Sequence, residues 1–296
     1  MTWRCPAASP IDWLIRQQNT NSSWLVTSYE GDVLHREYTY DQALAIIAFT
    51  DAGLLTQATN LLRAMADRQL TDSNVVGAWC EYYTNGVPET WKYVTGPIAW
   101  MVMAINFYEV RTGDTNYAGT AERALTFLRS LRDEDTNSAT FGAFRWSPWT
   151  NEWSIFSTEH NLDVYSAYRY RGLLGGNDSN LTVAAGVLQY LRKWMWAPSN
   201  SIGGIQSEPL FWGGWNAWLI NDCGDVGRWS VTTDAQAWGI LALGPVGPGG
   251  EEFYRAAEWI TTNRFVWGMT TCTQDFSPTI TGVAGYKCRP CVGTDT

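Results

Sequence analysis

The stretch Ser157-Thr158-Glu159-His160-Asn161-Leu162-Asp163 puts two carboxylates, an imidazole and an amide within seven residues, at the head of an apolar segment. Two other apolar segments also open on acids, Tyr40-Asp41-Gln42 and Thr232-Thr233-Asp234-Ala235-Gln236, while a fourth opens on Thr95-Gly96-Pro97. A carboxylate near a helix N-terminus stabilises the macrodipole by about 0.3–1 kcal/mol, and for Asp41 or Asp234 alone that explanation is as good as a chemical one. The Glu159 cluster holds more polar groups than a cap requires. Paired carboxyl groups suit glycosidic hydrolysis, in which one is protonated to assist the leaving oxygen and the other is ionised. Glu159 is the candidate general acid, because burial against Trp153 and Phe156 would raise its pKa and hold its proton near neutral pH. Asp41 or Asp234 would be the base that activates water, and the residues alone do not rank them. His160, Asp163 and Gln236 are read as groups that orient substrate or Glu159. No metal or cofactor is required by this chemistry.

Acids at the starts of buried segments need a scaffold that gathers those starts. Self-comparison supplies one. Tyr40 to Phe49 is apolar nearly all round and reaches Gly53, and an amphipathic run follows with Leu55, Ala58, Leu61, Leu62 and Met65 on one stripe. The pattern recurs with Gly96–Ile105 before Ala121, Leu125, Leu128 and Leu131. It returns with Asn161–Leu174 before Val183, Val187, Leu188, Leu191 and Trp194, and again with Asp234–Leu243 before Phe253, Ala257 and Ile260. Glycines at 53, 113, 175 and 244 sit where each first helix ends, since glycine readily takes the left-handed cap. Asp, Asn, Ser and Thr beyond them suit the N-caps of the second helices. Helices that are apolar on every face must be covered on every face. The expected fold is therefore all-α: an α/α toroid spanning residues 1–296 as one domain, with an inner ring of buried helices and an outer ring of amphipathic ones. Its hairpins fall at about 40–69, 96–132, 159–196 and 232–263, before an irregular cysteine-containing tail at 268–296.

The connections are unequal. Buried-to-outer turns take a few residues, but the returns span roughly 70–95, 133–158 and 197–231, and long loops in a compact domain usually serve function. They hold Trp79, Trp91, Trp146, Trp149, Trp153, Trp212, Trp215, Trp218 and Trp229, nine of the chain's 18 tryptophans. Some of these indoles pack the loops down. Others would form an aromatic cleft in which flat pyranose C–H faces stack on indole rings, and Trp79, Trp91, Trp149, Trp153, Trp212 and Trp215 are the candidates.

Composition excludes other classes. Among 296 residues, Lys and Arg total 20 against 29 Asp and Glu, a formal charge of -9 that argues against a nucleic-acid partner. No apolar run approaches the roughly 18 residues a spanning helix needs, so no membrane is expected. Cysteines 5, 80, 223, 272, 288 and 291 form an even set, read as disulfides of a secreted, extracellular protein. Sequons at Asn21, Asn177 and Asn180 fit the same route. Cys288-Arg-Pro-Cys291 has metal-pair spacing but no histidine near it, so zinc is not expected.

The helix alternation, together with Tyr40-Asp41-Gln42-Ala43-Leu44-Ala45, Ser157-Thr158-Glu159-His160-Asn161-Leu162-Asp163 and Thr233-Asp234-Ala235-Gln236-Ala237-Trp238, resembles the six-hairpin glycosidase superfamily over roughly residues 10–270. The resemblance implies an (α/α) barrel acting on glycosidic bonds, with acids on the loop-bearing face and a poly- or oligosaccharide as partner. The chain shows four clear hairpins and a helix at Pro10–Asn19 where a complete barrel has six hairpins. The competing expectation is a non-catalytic carbohydrate-binding or self-assembling extracellular protein on the same toroid, with self-association through uncovered helix faces. A polysaccharide lyase would need cations for a uronate, and Arg145 and Lys92 are the candidates. A terpene cyclase would need acidic metal motifs, and Asp133-Glu134-Asp135 reads instead as a solvated turn.

Overall fold

The computed structural model describes residues 9–19, 23–71, 75–89, 92–197, 209–220, 226–228, 233–263, 265–269 and 283–286. The chain divides into two compact units. Unit 1 takes Met1–Arg132, Ser147–Trp149 and Ala167–Leu181; unit 2 takes Asp133–Trp146, Thr150–Ser166 and Thr182–Thr296.

Nine helices occur among the described residues: α1 (Pro10–Asn19), α2 (Thr39–Asp51), α3 (Leu55–Thr71), α4 (Thr95–Thr112), α5 (Ala118–Arg129), α6 (Thr158–Gly175), α7 (Asp178–Tyr190), α8 (Thr233–Leu243) and α9 (Tyr254–Asn263). None of these helices is long and apolar enough to cross a membrane. The four expected hairpins are α2/α3, α4/α5, α6/α7 and α8/α9. In α3 the expected stripe is buried at Ala58, Leu61, Leu62 and Met65, but Leu55 is exposed at the helix start. In α5 the buried stripe runs through Ala121, Leu125 and Leu128 to Leu131 just past the helix end. In the second hairpin the first helix is the more enclosed one. Along α4 burial extends from Thr95 through Ile98, Ala99, Met101, Val102 and Ile105 to Tyr108.

The short turns follow the glycine rule. Gly113 closes α4 at φ 74 and donates its N–H to the Glu109 carbonyl, a conformation in which a Cβ would be strained. Gly53, Gly176 and Gly244 also have positive φ, so in the third hairpin the left-handed residue is Gly176, with Gly175 still inside α6. The N-cap expectation holds at α7, where the Asn177 Oδ1 accepts from the N–H groups of Ser179 and Asn180. It fails at α5, which begins after Tyr117 with no side-chain cap.

The long connections are not plain loops. In unit 1, β1 (Arg36–Tyr38) pairs antiparallel with β2 (Tyr82–Thr84), which pairs with β3 (Val87–Pro88). In unit 2, β4 (Ile155–Ser157) pairs with β7 (Gly214–Ile220) and β7 with β8 (Val226–Arg228), while β5 (Trp196–Ala197) pairs with β6 (Leu210–Phe211). The tail expected to be irregular contains a ribbon of β9 (Phe265–Met269) and β10 (Val283–Tyr286). Of the six cysteines only Cys80 lies among the described residues, where it is buried. The expected disulfide framework otherwise falls outside them.

One device recurs at the starts of the buried helices. Thr39, Thr95, Thr158 and Thr233 are the first residues of α2, α4, α6 and α8. β1 runs straight into α2 and β4 straight into α6, and the N–H groups of Thr39 and Thr158 donate to the carbonyls of Glu81 and Gly213, each at 3.0 Å. Three residues into α2, α6 and α8 an amide side chain grips a peptide unit upstream. The Gln42 Oε1 accepts from the Val26 N–H and its Nε2 donates to the Val26 carbonyl, at 2.7 and 2.8 Å. Asn161 does the same to Phe144, at 2.8 and 3.1 Å, and Gln236 to Phe211, both bonds at 2.7 Å. An amide suits this position because it both donates and accepts, matching both edges of a peptide group. Each bond contributes about 0.5–1.5 kcal/mol net, and the burial of all three amides makes the loss of either partner costlier.

Candidate active site

In unit 2 the clamps at Asn161 and Gln236 fix the starts of α6 and α8, and the residue following the first threonine is acidic in both: Glu159 and Asp234. Their carboxyl groups meet in a side-chain hydrogen bond. Burial pushes the Glu159 carboxyl up to about 7, with the negative charge of Asp234 and the shared hydrogen bond adding to the effect. Asp234 is exposed, and its Oδ1 also accepts from the Ala235 N–H at 2.8 Å. Burial and the neighbouring acid therefore favour the protonated form of Glu159. This contact is closer than either carboxyl separation of glycoside hydrolysis, about 5–5.5 Å for retention or 6.5–9.5 Å for inversion.

One helical turn further along, the same two helices meet again. Asp163 is buried and accepts from the Trp238 indole N–H at 2.5 Å. Asp163 follows Glu159 by four residues and Trp238 follows Asp234 by four, so each pair lies on one helix face. Trp238 stands in the segment that carries the resemblance but has no expected role there, although its i+4 spacing from Asp234 marks the shared face. His160 is also buried, and its ring lies 4.2 Å from the Trp146 ring at an interplanar angle of 32°. Gln236 is wholly buried and both ends of its amide are engaged with Phe211, so it is a clamp and not a substrate contact.

Asp41 belongs to unit 1. It stands third in α2, the place His160 holds in α6, and the second place is taken by Tyr40, whose ring lies 5.2 Å from that of Trp100. Burial pushes the Asp41 carboxyl up, opposed by a hydrogen bond with Ser28. Of the two candidate bases, Asp234 is the one paired with Glu159.

The tryptophans separate by exposure. Trp79 is buried in unit 1 and donates its indole N–H to the Met65 carbonyl at 2.7 Å, and Trp212 is buried in unit 2. Neither has a face left for a sugar, which corrects the expectation for both. Both pack a long connection against its helices, where a large ring removes the most apolar surface from water. Trp149 in unit 1 and Trp153 in unit 2 are exposed by 41% and 44%, and Trp215 is half-buried, edge-on to Trp194. Trp91 lies outside the described residues. Trp153 follows a 3-10 turn at Thr150–Glu152 and precedes β4, the strand that delivers Glu159. The Arg145 guanidinium lies 4.4 Å from the centre of the Trp153 ring and 5.3 Å from that of Phe156, and pairs with Asp133 at 3.5 Å. Arg145 thus backs Trp153 and is committed, which removes it as a cation for a uronate. Among the described residues no cluster of three or more His, Cys, Asp and Glu side chains could hold a metal ion.

No family model matches the sequence, and no curated protein matches it. Solved structures do match. An inactive double-aspartate variant of the α-1,6-mannanase of Salegentibacter sp., in complex with α-1,6-mannotetrose, is 13% identical with a TM-score of 0.59, over 89% of this chain and 71% of that one. The fold is the α/α toroid that these solved structures share. The cellobiose 2-epimerase of Spirochaeta thermophila is 15% identical with a TM-score of 0.56, covering 83% and 64% of the two chains. A reducing-end-xylose releasing exo-oligoxylanase is 12% identical at 0.53, covering 77% of this chain and 62% of its own length. Hydrolases and an epimerase share this toroid, so the fold does not choose the reaction. The side chains at the helix starts must choose it.

Proposed function

We propose that the chain is a glycoside hydrolase acting on a poly- or oligosaccharide, with Glu159 as general acid and Asp234 as its carboxylate partner. The observation that carries this reading is the hydrogen-bonded Glu159–Asp234 pair, in which burial and the second carboxylate keep Glu159 protonated to about pH 7. A sugar stacked on the open face of Trp153 would be guided toward the pair. When the glycosidic oxygen replaces Asp234 as the acceptor of the Glu159 proton, Asp234 is released as a carboxylate. It then takes a proton from water as the hydroxide oxygen bonds to the anomeric carbon and the C–O bond to the leaving group breaks. Glu159 ends ionised and Asp234 protonated, and re-forming their hydrogen bond returns the proton to Glu159. The carboxyls must first part from contact to the separation that hydrolysis uses. The toroid fold shared with solved glycosidases supports a carbohydrate substrate.

We place the activity outside the cell, on the even cysteine set and the sequons. Asn180 carries no weight there, since it is buried together with the Nδ2 that would bear a glycan.

The test is release of reducing ends from α-1,6-manno-, cello- and xylo-oligosaccharides by wild type, Glu159→Gln and Asp234→Asn. Loss of release in both variants, with oligosaccharide binding kept, supports the assignment. Full activity of Glu159→Gln would overturn it, and binding without release by the wild type would make the chain a carbohydrate-binding toroid.

A further inference from the structure

The Glu159–Asp234 contact joins two helices that come from distant parts of the sequence. Where the two carboxyls meet depends on the rotation of each helix about its axis and on its slide along that axis. A hydrogen bond tolerates only tenths of an ångström of such error. The clamps at Asn161 and Gln236 hold each helix to its own upstream peptide, Phe144 and Phe211, and neither ties α6 to α8. The second rung does. The Asp163 Oδ1 accepts from the Trp238 Nε1–H, one turn below the carboxyl pair and on the same two helix faces. Asp163 is 1% exposed, so this polar contact is made away from water, where it is strongest and most costly to lose. The other face of α8 is fixed by shape: a Cβ at Gly239 would stand 2.3 Å from the Phe211 ring, so α8 lies directly against that ring. Phe211 and Asp163 thus hold α8 at two places about its axis.

We propose that Asp163 and Trp238 are positioning residues, whose hydrogen bond sets the register of α6 against α8 and thereby holds Glu159 and Asp234 in contact. This rests on the hydrolase reading for its meaning in catalysis, but its geometry stands without it. Neither residue donates a proton to substrate. Their effect passes through the carboxyl pair.

The direct readout is the titration of Glu159, followed by carbon-13 NMR of its side-chain carboxyl and assigned with Glu159→Gln. Trp238→Phe keeps a ring in place and removes only the indole edge and its N–H. Its expected result is a Glu159 midpoint that falls from about 7 toward the ordinary 4.5 as Asp234 moves out of contact. Asp163→Leu should do the same, while Asp163→Asn keeps an acceptor oxygen and should restore the wild-type midpoint in large part. An unchanged Glu159 midpoint in Trp238→Phe and Asp163→Leu, both folded by thermal melt, would overturn the proposal. Should Trp238→Phe fail to fold, the contrast between Asp163→Leu and Asp163→Asn decides alone. If the wild type cleaves nothing, the hydrolase reading falls, and the titration still tests the rung.

Discussion

Replacing Glu159 with glutamine should make the protein more stable at pH 8 than the wild type, and the size of the gain follows from the site. A carboxyl moved from 4.5 to about 7 costs the folded state about 3 kcal/mol more to ionise than it costs the unfolded chain. Below pH 4.5 Glu159 is protonated in both states and this term vanishes. As pH rises from 4.5 through 7 the unfolded chain gives up the proton first, so stability drains away over that window and the full deficit is present above it. Glutamine has no proton to lose, and its amide can still donate to Asp234. The melting temperature of Glu159→Gln minus that of wild type should therefore be larger at pH 8 than at pH 4.5, by about 5 °C for a chain of this length. Asp234→Asn tests the split between causes. It removes the neighbouring charge but leaves the burial, which is the larger contribution, so the pH-dependent deficit should shrink without disappearing. A Glu159→Gln difference that is the same at both pH values would mean that Glu159 titrates as an ordinary surface carboxyl, and the acid assignment would lose its physical basis.

Three further outcomes are expected. In pH–rate profiles on a cleaved oligosaccharide, kcat/KM should fall as pH rises through about 7, because Glu159 acts only while protonated. Trp153→Ala should raise KM or weaken binding in calorimetry with little change in melting temperature. Trp79→Ala should instead cost about 3–5 kcal/mol in denaturant unfolding, because one ring is exposed and the other is sealed. Gln236→Leu should destabilise by about 2 kcal/mol or more in the same unfolding assay, since it strips the Phe211 N–H and carbonyl of their partner, and it should leave oligosaccharide affinity intact in a folded sample.

The helical hairpins could be read from the sequence because burial on one face or on all faces leaves a periodic mark. Ala121, Leu125, Leu128 and Leu131 repeat at the helical spacing and are buried. The ribbons left no such mark. Ile155–Ser157 and Tyr82–Thr84 are three residues long, too short to show alternation, and their pairing is set by partners far along the chain. Within the site, the acids at the helix starts could be found by type and place, but their pairing could not. Whether Asp41 or Asp234 meets Glu159 depends on which helix lies beside α6, and no residue type encodes that. Tryptophan misled for a similar reason. Trp79 and Trp153 both sit in long connections, and only the Met65 carbonyl over one and the Arg145 guanidinium behind the other separate packing from display.

For Asp234 a helix-start role and the proposed chemical one do not compete. The same carboxylate accepts the Ala235 N–H through Oδ1 and a proton-bearing oxygen from Glu159. The reason lies in the repeated helix start. Threonine comes first in all four buried helices and an amide clamp comes fourth in three of them, so the second side chain is projected from an equivalent position each time. That second place holds Tyr40, Gly96, Glu159 and Asp234. A tyrosine or a glycine there leaves the scaffold intact, as α2 and α4 demonstrate, so the clamp does not demand an acid. A single carboxylate would do no more than favour the helix dipole. Two of them brought together at helix starts disfavour each other's ionisation, and the Glu159 carboxyl is pushed up. A helix N-terminus favours an ionised carboxylate, so the upward push on Glu159 is not a product of capping, and it is the feature on which the proposed hydrolytic role depends.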